Sequence, residues 1–163
     1  MNYDTEIRKI VFPGKVCVLA SRPGEGKSSL ARKVAMIISK DSKVLIIDLD
    51  GNNTEKEVIE NSNITYNNSL NNVDEIVDSI KNNDYSLVVI DYIQLLTSKQ
   101  ADLTKLKSIS KMKNVCILAI SQLPFSFNFN NILENQFVVN TKLYADLIAI
   151  LRNHDNKPNL TIV

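Results

Sequence analysis

The sequence predicts an α/β protein in which a mostly parallel sheet is covered by helices on both faces. Apolar, β-branched runs recur along the chain without strict alternation of apolar and polar residues, which is typical of strands buried on both faces. Helical patterns separate these runs, and strands that alternate with helices form parallel sheets through right-handed crossovers. A loop of small residues links the first strand to the first helix. The predicted strands are 16–19, 44–49, 87–90, 115–120, 147–151 and 160–163.

Four helical segments are predicted between the strands, at 28–39, 55–60, 73–80 and 102–112. The last of these carries an apolar residue at every third position, and such residues form one apolar stripe along a helix. The stripe consists of Leu103, Leu106, Ile109 and Met112.

Two Asn-rich segments, 61–72 and 128–135, are predicted to be exposed loops or turns. Phe125, Phe127 and Phe129 run into the start of the second segment, each separated from the next by one residue. This spacing fits either an edge strand or a mobile loop with an aromatic contact surface, and partial burial is the favoured interpretation.

Length and composition indicate one globular domain. The 163 residues are 44% apolar and 23% charged, which is sufficient for a hydrophobic core. The formal net charge of +1 gives no strong basic field that would predict nucleic-acid binding, although a local basic groove is compatible with it. The chain has no apolar run of about eighteen residues and begins with polar residues, so we expect a cytoplasmic protein without a membrane span.

The cysteines and the single histidine limit the kinds of metal and catalytic site that the chain can form. Cys17 and Cys116 both lie in apolar runs, which predicts small buried side chains in a reducing compartment. His154 is the only histidine in the sequence. A histidine-based metal cluster and a Ser–His triad are therefore excluded.

The most informative segment is 20–29, Ala-Ser-Arg-Pro-Gly-Glu-Gly-Lys-Ser-Ser. A strand, a small-residue loop, Gly-Lys-Ser and a helix follow one another in phosphate-binding loops. The glycines let backbone N–H groups converge on phosphate oxygens, and the helix adds the positive end of its dipole. The loop is therefore predicted to bind a nucleoside triphosphate through Ser21, Arg22, Pro23, Gly24, Glu25, Gly26, Lys27, Ser28 and Ser29.

The position of each residue in this loop predicts its role. Lys27 is predicted to reach the β- and γ-phosphates, and the Ser28 hydroxyl is predicted to ligate Mg²⁺. Ser21 stands where the common pattern has its first glycine.

Carboxylates follow two of the buried strands. Asp91 ends the strand at 87–90, and because ligands collect at the carboxyl ends of parallel strands, it is predicted to hold Mg²⁺ opposite Ser28. Tyr92 follows where a neighbouring Glu would activate water, so a base must come from another strand end. Asp48 and Asp50 are the candidates, and only Asp50 lies at the very end of its strand.

An amide follows the strand at 115–120. Gln122 comes directly after this buried strand, in Ile-Ser-Gln-Leu-Pro. An amide at that place can sense the γ-phosphate and pass the change to the next loop.

Three strings together resemble the core motifs of DnaB-type replicative DNA helicases: Ala-Ser-Arg-Pro-Gly-Glu-Gly-Lys-Ser, Ile-Asp-Tyr-Ile-Gln-Leu-Leu and Ile-Ser-Gln-Leu. The resemblance covers residues 11–163. It implies a RecA-like P-loop NTPase fold with ATP and Mg²⁺ as ligands, Asp91 on the metal and Gln122 as the γ-phosphate sensor. The family's catalytic glutamate falls at Asp50, whose carboxylate is one methylene shorter, and a small misplacement of a base is costly to the rate of hydrolysis.

The same resemblance gives expectations about domains and partners. It implies a single ATPase domain over 1–163, without the family's amino-terminal domain and ending at Val163, before the family's basic finger. We therefore expect no autonomous unwinding. The implied partners are single-stranded DNA bound through its backbone, and either further copies of the chain, hexameric in the family, or a full-length helicase.

A group of lysines clusters near one predicted helix. A solvated helix face is its favoured interpretation, and DNA bound there would be held by sequence-independent contacts with steep salt dependence. The group consists of Lys105, Lys107, Lys111 and Lys113.

Two alternative functions stay open at this point. The chain could be a regulatory or interaction module of the same fold that binds ATP with weak or no hydrolysis. It could also be a partition-type ATPase, since Arg22 stands near the position of that family's extra loop lysine.

Overall fold

The computed structural model describes Thr5 and residues 7–51, 63–97, 99–154 and 157–163. Within this part of the chain, seven strands form one sheet in the order β3-β2-β4-β5-β1-β6-β7. Neighbouring strands are parallel except for β6 and β7, which are antiparallel. The strands are β1 Val16–Ser21, β2 Lys43–Asp48, β3 Ile64–Asn67, β4 Tyr85–Asp91, β5 Cys116–Gln122, β6 Leu147–His154 and β7 Lys157–Ile162.

Five helices and a short 3₁₀ turn, Ile132–Glu134, accompany the sheet in the described residues. None of these helices is long and apolar enough to cross a membrane. The helices are α1 Lys27–Ile38, α2 Val73–Lys81, α3 Ile93–Leu96, α4 Gln100–Lys113 and α5 Gln136–Thr141.

Apolar residues fill a core on each face of the sheet. Along β1, Val16 and Val18 pack into one core together with α2 and α4, whereas Cys17 and Leu19 pack into the other together with α1. Alternate residues of a strand point to opposite faces, so both faces of β1 are buried. The predicted doubly covered, mostly parallel sheet is confirmed.

Strand β3 corrects the prediction for 61–72, which the sequence indicated as an exposed loop. Ile64 pairs with Val44 of β2 in parallel, and β3 forms the edge of the sheet. Ile64 and Tyr66 are half-buried against the core that contains α1. A four-residue edge strand flanked by asparagines carries too little apolar sequence to be detected. The helix predicted at 55–60 lies outside the described residues.

The apolar stripe of α4 is shorter than predicted. Leu103, Leu106 and Ile109 are buried, whereas Met112 is 73% exposed. A helix turns once in about 3.6 residues, so residues spaced by three drift around the axis and the fourth leaves the buried face. In the aromatic segment, Phe127 is buried and Phe129 half-buried, while Phe125 is 92% exposed.

The sheet order places β1 between β5 and β6, with β4 next to β5. Because these four strands are parallel, their carboxyl ends meet at one edge of the sheet. The loop between β1 and α1 lies at that edge, and the side chains that surround it follow β2, β4, β5 and β6.

Candidate functional site

The loop between β1 and α1 has the backbone that its glycines predict. Gly24 and Gly26 have φ angles of +79° and +88°, in the left-handed region that favours glycine. Ser21 belongs to β1 and does not have a positive φ, so serine fits at the position of the usual first glycine. Its hydroxyl donates to the Arg22 carbonyl oxygen at 2.9 Å, and Glu25 Oε2 accepts from the Arg22 N–H at 3.2 Å.

Lys27 begins α1 directly after Gly26 and is only 8% exposed. Its ammonium Nζ lies 5.8 Å from the centre of the Tyr92 ring. The structure therefore holds this lysine between the phosphate loop and the end of β4. Ser28 follows on the first turn of the helix and is half-buried.

Asp91 ends β4 and faces the start of α1. Burial raises the pKa of its carboxyl, and the neighbouring Asp48 carboxylate acts in the same direction, while the Ser28 hydroxyl and the Lys27 charge lower it. Asp91 is 5% exposed, and its Oδ1 has no hydrogen-bond partner in the described part of the chain. The Asp91–Tyr92 peptide bond is cis.

These residues fit a magnesium ion held together with a nucleotide. The buried Asp91 Oδ1, which no other described residue bonds, and the Ser28 hydroxyl beside it offer two oxygen ligands, the type that Mg²⁺ prefers. Among the described residues, no group of three or more His, Cys, Asp or Glu side chains forms a metal cage. Mg²⁺ is commonly bound by one or two protein oxygens, substrate phosphates and water, so such a cage is not required.

The two carboxylates that follow β2 differ in their surroundings. Asp48 is 1% exposed, and its Oδ1 accepts hydrogen bonds from the Asp50 and Gly51 N–H groups, both at 3.1 Å. Its Oδ2 accepts from the Tyr66 hydroxyl. Asp48 therefore stabilises the turn after β2, and both of its carboxylate oxygens already accept hydrogen bonds from neighbouring residues.

Asp50 lies further out, half-buried beside Tyr92. Burial raises the pKa of the Tyr92 hydroxyl, and hydrogen bonding with the Asp50 carboxylate raises it further. Since Lys27 lies over the ring of the same tyrosine, Tyr92 connects Asp50 to the phosphate loop. Both predicted bases lie near the end of β4, Asp48 close enough to act on Asp91 and Asp50 hydrogen-bonded to Tyr92, and the oxygens of Asp48 already accept hydrogen bonds.

Gln122 ends β5, level with Ser21 of β1. The Gln94 amide donates to Ser121 Oγ at 2.6 Å and to the Gln122 carbonyl oxygen at 3.0 Å, which ties α3 to the end of β5. Gln94 lies within one of the sequence motifs, but the sequence analysis assigned it no role.

A cavity of about 510 Å³ opens beside the end of β5. Its walls combine aromatic rings and side-chain amides, including that of Gln122. It is lined by Tyr92, Gln94, Gln122, Leu123, Pro124, Phe125, Phe137 and Asn140.

Sequence reasoning also missed the end of β6. The Asn153 side-chain amide donates to the Glu25 carbonyl oxygen at 3.1 Å and so joins β6 to the phosphate loop. The guanidinium groups of Arg22 and Arg152 both lie over the ring of Phe129, at 4.9 and 4.1 Å from its centre. The polar residues directly after the apolar run of β6 were the available signal, since such residues marked the ends of β2, β4 and β5.

Three of the four lysines of the group at 105–113, all of which lie in α4, form ion pairs with acidic neighbours. Lys105 pairs with Asp74 at 2.7 Å, and Lys107 pairs with Asp146 at 3.2 Å. Lys113 approaches the exposed Asp84 at 3.6 Å. These pairs are those of a solvated helix face, the interpretation favoured from the sequence.

Comparison with known proteins gives one family match. The family model described as thymidine kinase matches residues 14–145. This range contains the phosphate loop, Asp50, Asp91 and Gln122. A search of curated proteins found no match.

Three solved structures are similar over almost the whole chain. One, described as an ATPase domain, has a TM-score of 0.75 at 19% identity, with 98% of this chain and 84% of that chain covered. A DnaB-like replicative helicase, described with its interactions with primase, has a TM-score of 0.77 at 19% identity, with 98% and 57% covered. The RadB recombinase has a TM-score of 0.65 at 16% identity, with 93% and 81% covered. At these identities the likeness shows the fold, which is that of the RecA-like P-loop ATPases.

Proposed function

We propose that this chain, which belongs to the thymidine kinase family, binds ATP with Mg²⁺ at the phosphate loop. In this proposal it transfers the terminal phosphoryl group to water, as the ATPase core of a DnaB-like replicative helicase. One observation carries the proposal. Lys27, Ser28 and the buried Asp91 converge at the sheet edge where nucleotides bind in P-loop folds, and one Asp91 oxygen has no hydrogen-bond partner among the described residues.

Each residue has a role in this proposal. Lys27 and the loop N–H groups neutralise the phosphate charge, while Ser28 and Asp91 hold the metal. Mg²⁺, when bound, would neutralise charge on the β- and γ-phosphates. Asp50 accepts a proton from the attacking water, and Gln122 contacts the terminal phosphate and reports its loss to the segment after β5.

The wider context belongs to the proposal as well. The likeness to helicase ATPase domains favours assembly with further copies of the chain or with a full-length helicase, and contact with single-stranded DNA. Lys105, Lys107 and Lys113 form ion pairs with acidic neighbours, so we expect little DNA affinity from α4 alone. Any DNA contact would then depend on surfaces brought together by assembly.

A second candidate function is phosphoryl transfer to a nucleoside hydroxyl instead of water. The family match favours it, and so does the cavity beside Gln122. Ring faces of Tyr92 and Phe137 can stack on a base, and the amides of Gln94 and Asn140 can form hydrogen bonds to its edge. The two candidates use the same phosphate donor site and differ only in the acceptor.

One experiment separates these functions from a purely regulatory module. ATP labelled at the γ-phosphate is incubated with the full chain and Mg²⁺ alone, with single-stranded DNA, or with thymidine, and the position of the label is then determined. Label in inorganic phosphate supports the ATPase, and we expect this result with stimulation by DNA. Label on thymidine supports the kinase, and ATP binding without any transfer supports the regulatory module.

Lys27→Ala is the decisive variant in this assay. We expect it to lower transfer by at least about a hundredfold, because it removes a charge that stabilises the transition state. Lys33→Ala, which removes an exposed lysine from the same helix, is the matched control and should keep wild-type turnover. A chain that binds no ATP, or a Lys27→Ala variant that is fully active, would overturn the proposed site.

A further inference from the structure

Two arginines meet at the phosphate loop from different elements. Arg22 belongs to the loop itself, and Arg152 lies in β6. In the parallel register Ala20 of β1 lies opposite Ile150 of β6, so Arg152 comes level with Arg22 where β1 ends. The hydrogen bond from the Asn153 amide to the Glu25 carbonyl oxygen fixes this end of β6 against the loop.

One aromatic ring holds both guanidinium groups. Arg22 Cζ lies 4.9 Å and Arg152 Cζ lies 4.1 Å from the centre of the Phe129 ring. Ring faces attract cations and so favour this arrangement. Phe129 itself packs edge-on against the buried Phe127, with ring centres 5.0 Å apart, which anchors the ring to the core.

Within the described residues, the two positive charges have no carboxylate partner. The ion pairs across these ranges all involve lysines, and neither Arg22 nor Arg152 takes part in one. Like charges brought to the same ring repel each other. An anion between or beside them would remove this repulsion, and the phosphate loop is the adjacent anion site.

The two arginines approach the phosphate loop from the side opposite Asp91 and Gln122. β6 pairs with β1 on the edge opposite β5, so Arg152 stands across the loop from Asp91 and Gln122. A phosphate chain in the loop would thus be bounded by the metal-binding carboxylate and the amide on one side and by two guanidinium groups on the other.

We propose that Arg22 and Arg152, positioned by the ring of Phe129, form a clamp that binds the phosphate chain of ATP within the same subunit. The clamp rests on the proposed function, since it acts on the nucleotide bound there. Guanidinium groups donate paired N–H bonds to phosphate oxygens. Because ATP carries one more negative charge than ADP, the clamp favours ATP over ADP.

The test measures ATP·Mg²⁺ and ADP·Mg²⁺ binding to the full chain by calorimetry. We expect Arg152→Ala and Arg22→Ala to weaken ATP binding about tenfold and ADP binding clearly less. Arg152→Lys keeps the charge but loses the paired donors, so its loss should be intermediate. Arg8→Ala removes an exposed arginine that precedes β1 and is the matched control.

Phe129 is tested as a positioning residue. Phe129→Leu should reduce the preference for ATP over ADP, and Phe129→Tyr, which keeps the ring, should restore it. Melting temperatures of all variants show whether each one is folded, and Arg152→Lys tests the same contact with the smallest change in packing.

The outcomes separate the clamp from the proposed function. If wild type binds ATP, Lys27→Ala does not, and both arginine variants bind like wild type, the clamp is wrong while the nucleotide site stands. Equal losses for ATP and ADP, or an ATP preference that appears only at concentrations where the chain self-associates, also overturn the clamp. If wild type binds neither nucleotide, both proposals fail.

Discussion

At Asp91, the proposed role as a metal ligand conflicts directly with the stability of the nucleotide-free fold. Its carboxyl is buried at the end of β4, one of its oxygens has no partner among the described residues, and burial together with Asp48 raises its pKa. Taking a carboxylate out of water without a full set of partners is costly. Lys27 and Ser28 offset part of this cost, and a bound cation would offset more.

We predict that Asp91→Asn stabilises the nucleotide-free protein at neutral pH. The pKa of Asp91 in the folded state lies above its value of 3.8 in the unfolded state, so the folded state binds more protons between these two values. The contribution of Asp91 to stability therefore falls as pH rises through that interval. Asparagine does not titrate, so the variant's advantage should be present at neutral pH and vanish in acid.

Urea unfolding at several pH values, without metal or nucleotide, measures this difference. Asp41→Asn, which makes the same change at an exposed carboxylate, is the control for the substitution itself. With ATP·Mg²⁺ present the order should reverse, because only wild type keeps the metal ligand. Equal stability of Asp91→Asn and wild type at neutral pH would contradict the prediction.

At the scale of elements, the phosphate loop depends on backbone conformation more than on packing. A Cβ added at Gly24 or Gly26 would meet no atom within 4 Å, yet both residues have positive φ angles. Glycine is therefore required at both positions by the positive φ angles, through which the chain bends from the loop into the first turn of α1. The Leu30 N–H donates to the Gly26 carbonyl oxygen at 2.9 Å and so fixes the start of the helix.

We predict that Gly24→Ala destabilises the protein by about 1–2 kcal/mol, the usual cost of a side chain in the left-handed region. It should also weaken ATP binding, since the loop must change shape to relieve the strain. Gly14→Ala is the matched control. Gly14 has a φ of +71° but precedes β1, at the opposite edge of the sheet from the loop. Denaturant unfolding and calorimetry should show a stability loss in both variants and a binding loss only in Gly24→Ala.

Most elements could be predicted because their apolar runs and helical periods are long. β1, β2, β4 and β5 each bury five or six consecutive residues, a signal that a single sequence carries well. β3 was missed because an edge strand of four half-buried or exposed residues has no such run.

The sequence predicts site residues only where they lie in the phosphate loop or directly after a buried strand. Asp91 and Gln122 each end a buried strand, and strand ends meet at one edge of a parallel sheet. The approach of Arg22 and Arg152 to the ring of Phe129 depends instead on β6 lying beside β1, with more than a hundred residues between the two arginines in the chain. Sheet order is a property of the folded molecule, so this arrangement of the two arginines became visible only in the structure.

At the scale of the whole molecule, the proposed ligand would connect elements that are distant in sequence. The loop follows β1, which contributes residues to both cores, and the Asn153 side chain of β6 is hydrogen-bonded to the loop. A ligand that touches the loop, β4 and β5 would then be released by global unfolding and not by the opening of one segment. Its binding free energy should appear in full as added stability.

We therefore predict a large thermal shift with ATP·Mg²⁺. At a concentration of about one hundred times Kd, the gain is about 2.7 kcal/mol, which for a chain of this size raises Tm by roughly 5–10 °C. Lys27→Ala should show no shift at the same concentration, whereas Lys33→Ala should shift like wild type. Calorimetric scans with and without nucleotide provide the measurement. A single transition that moves as a whole supports one cooperative unit, whereas two transitions of which only one moves would show that the loop and the rest of the sheet unfold separately.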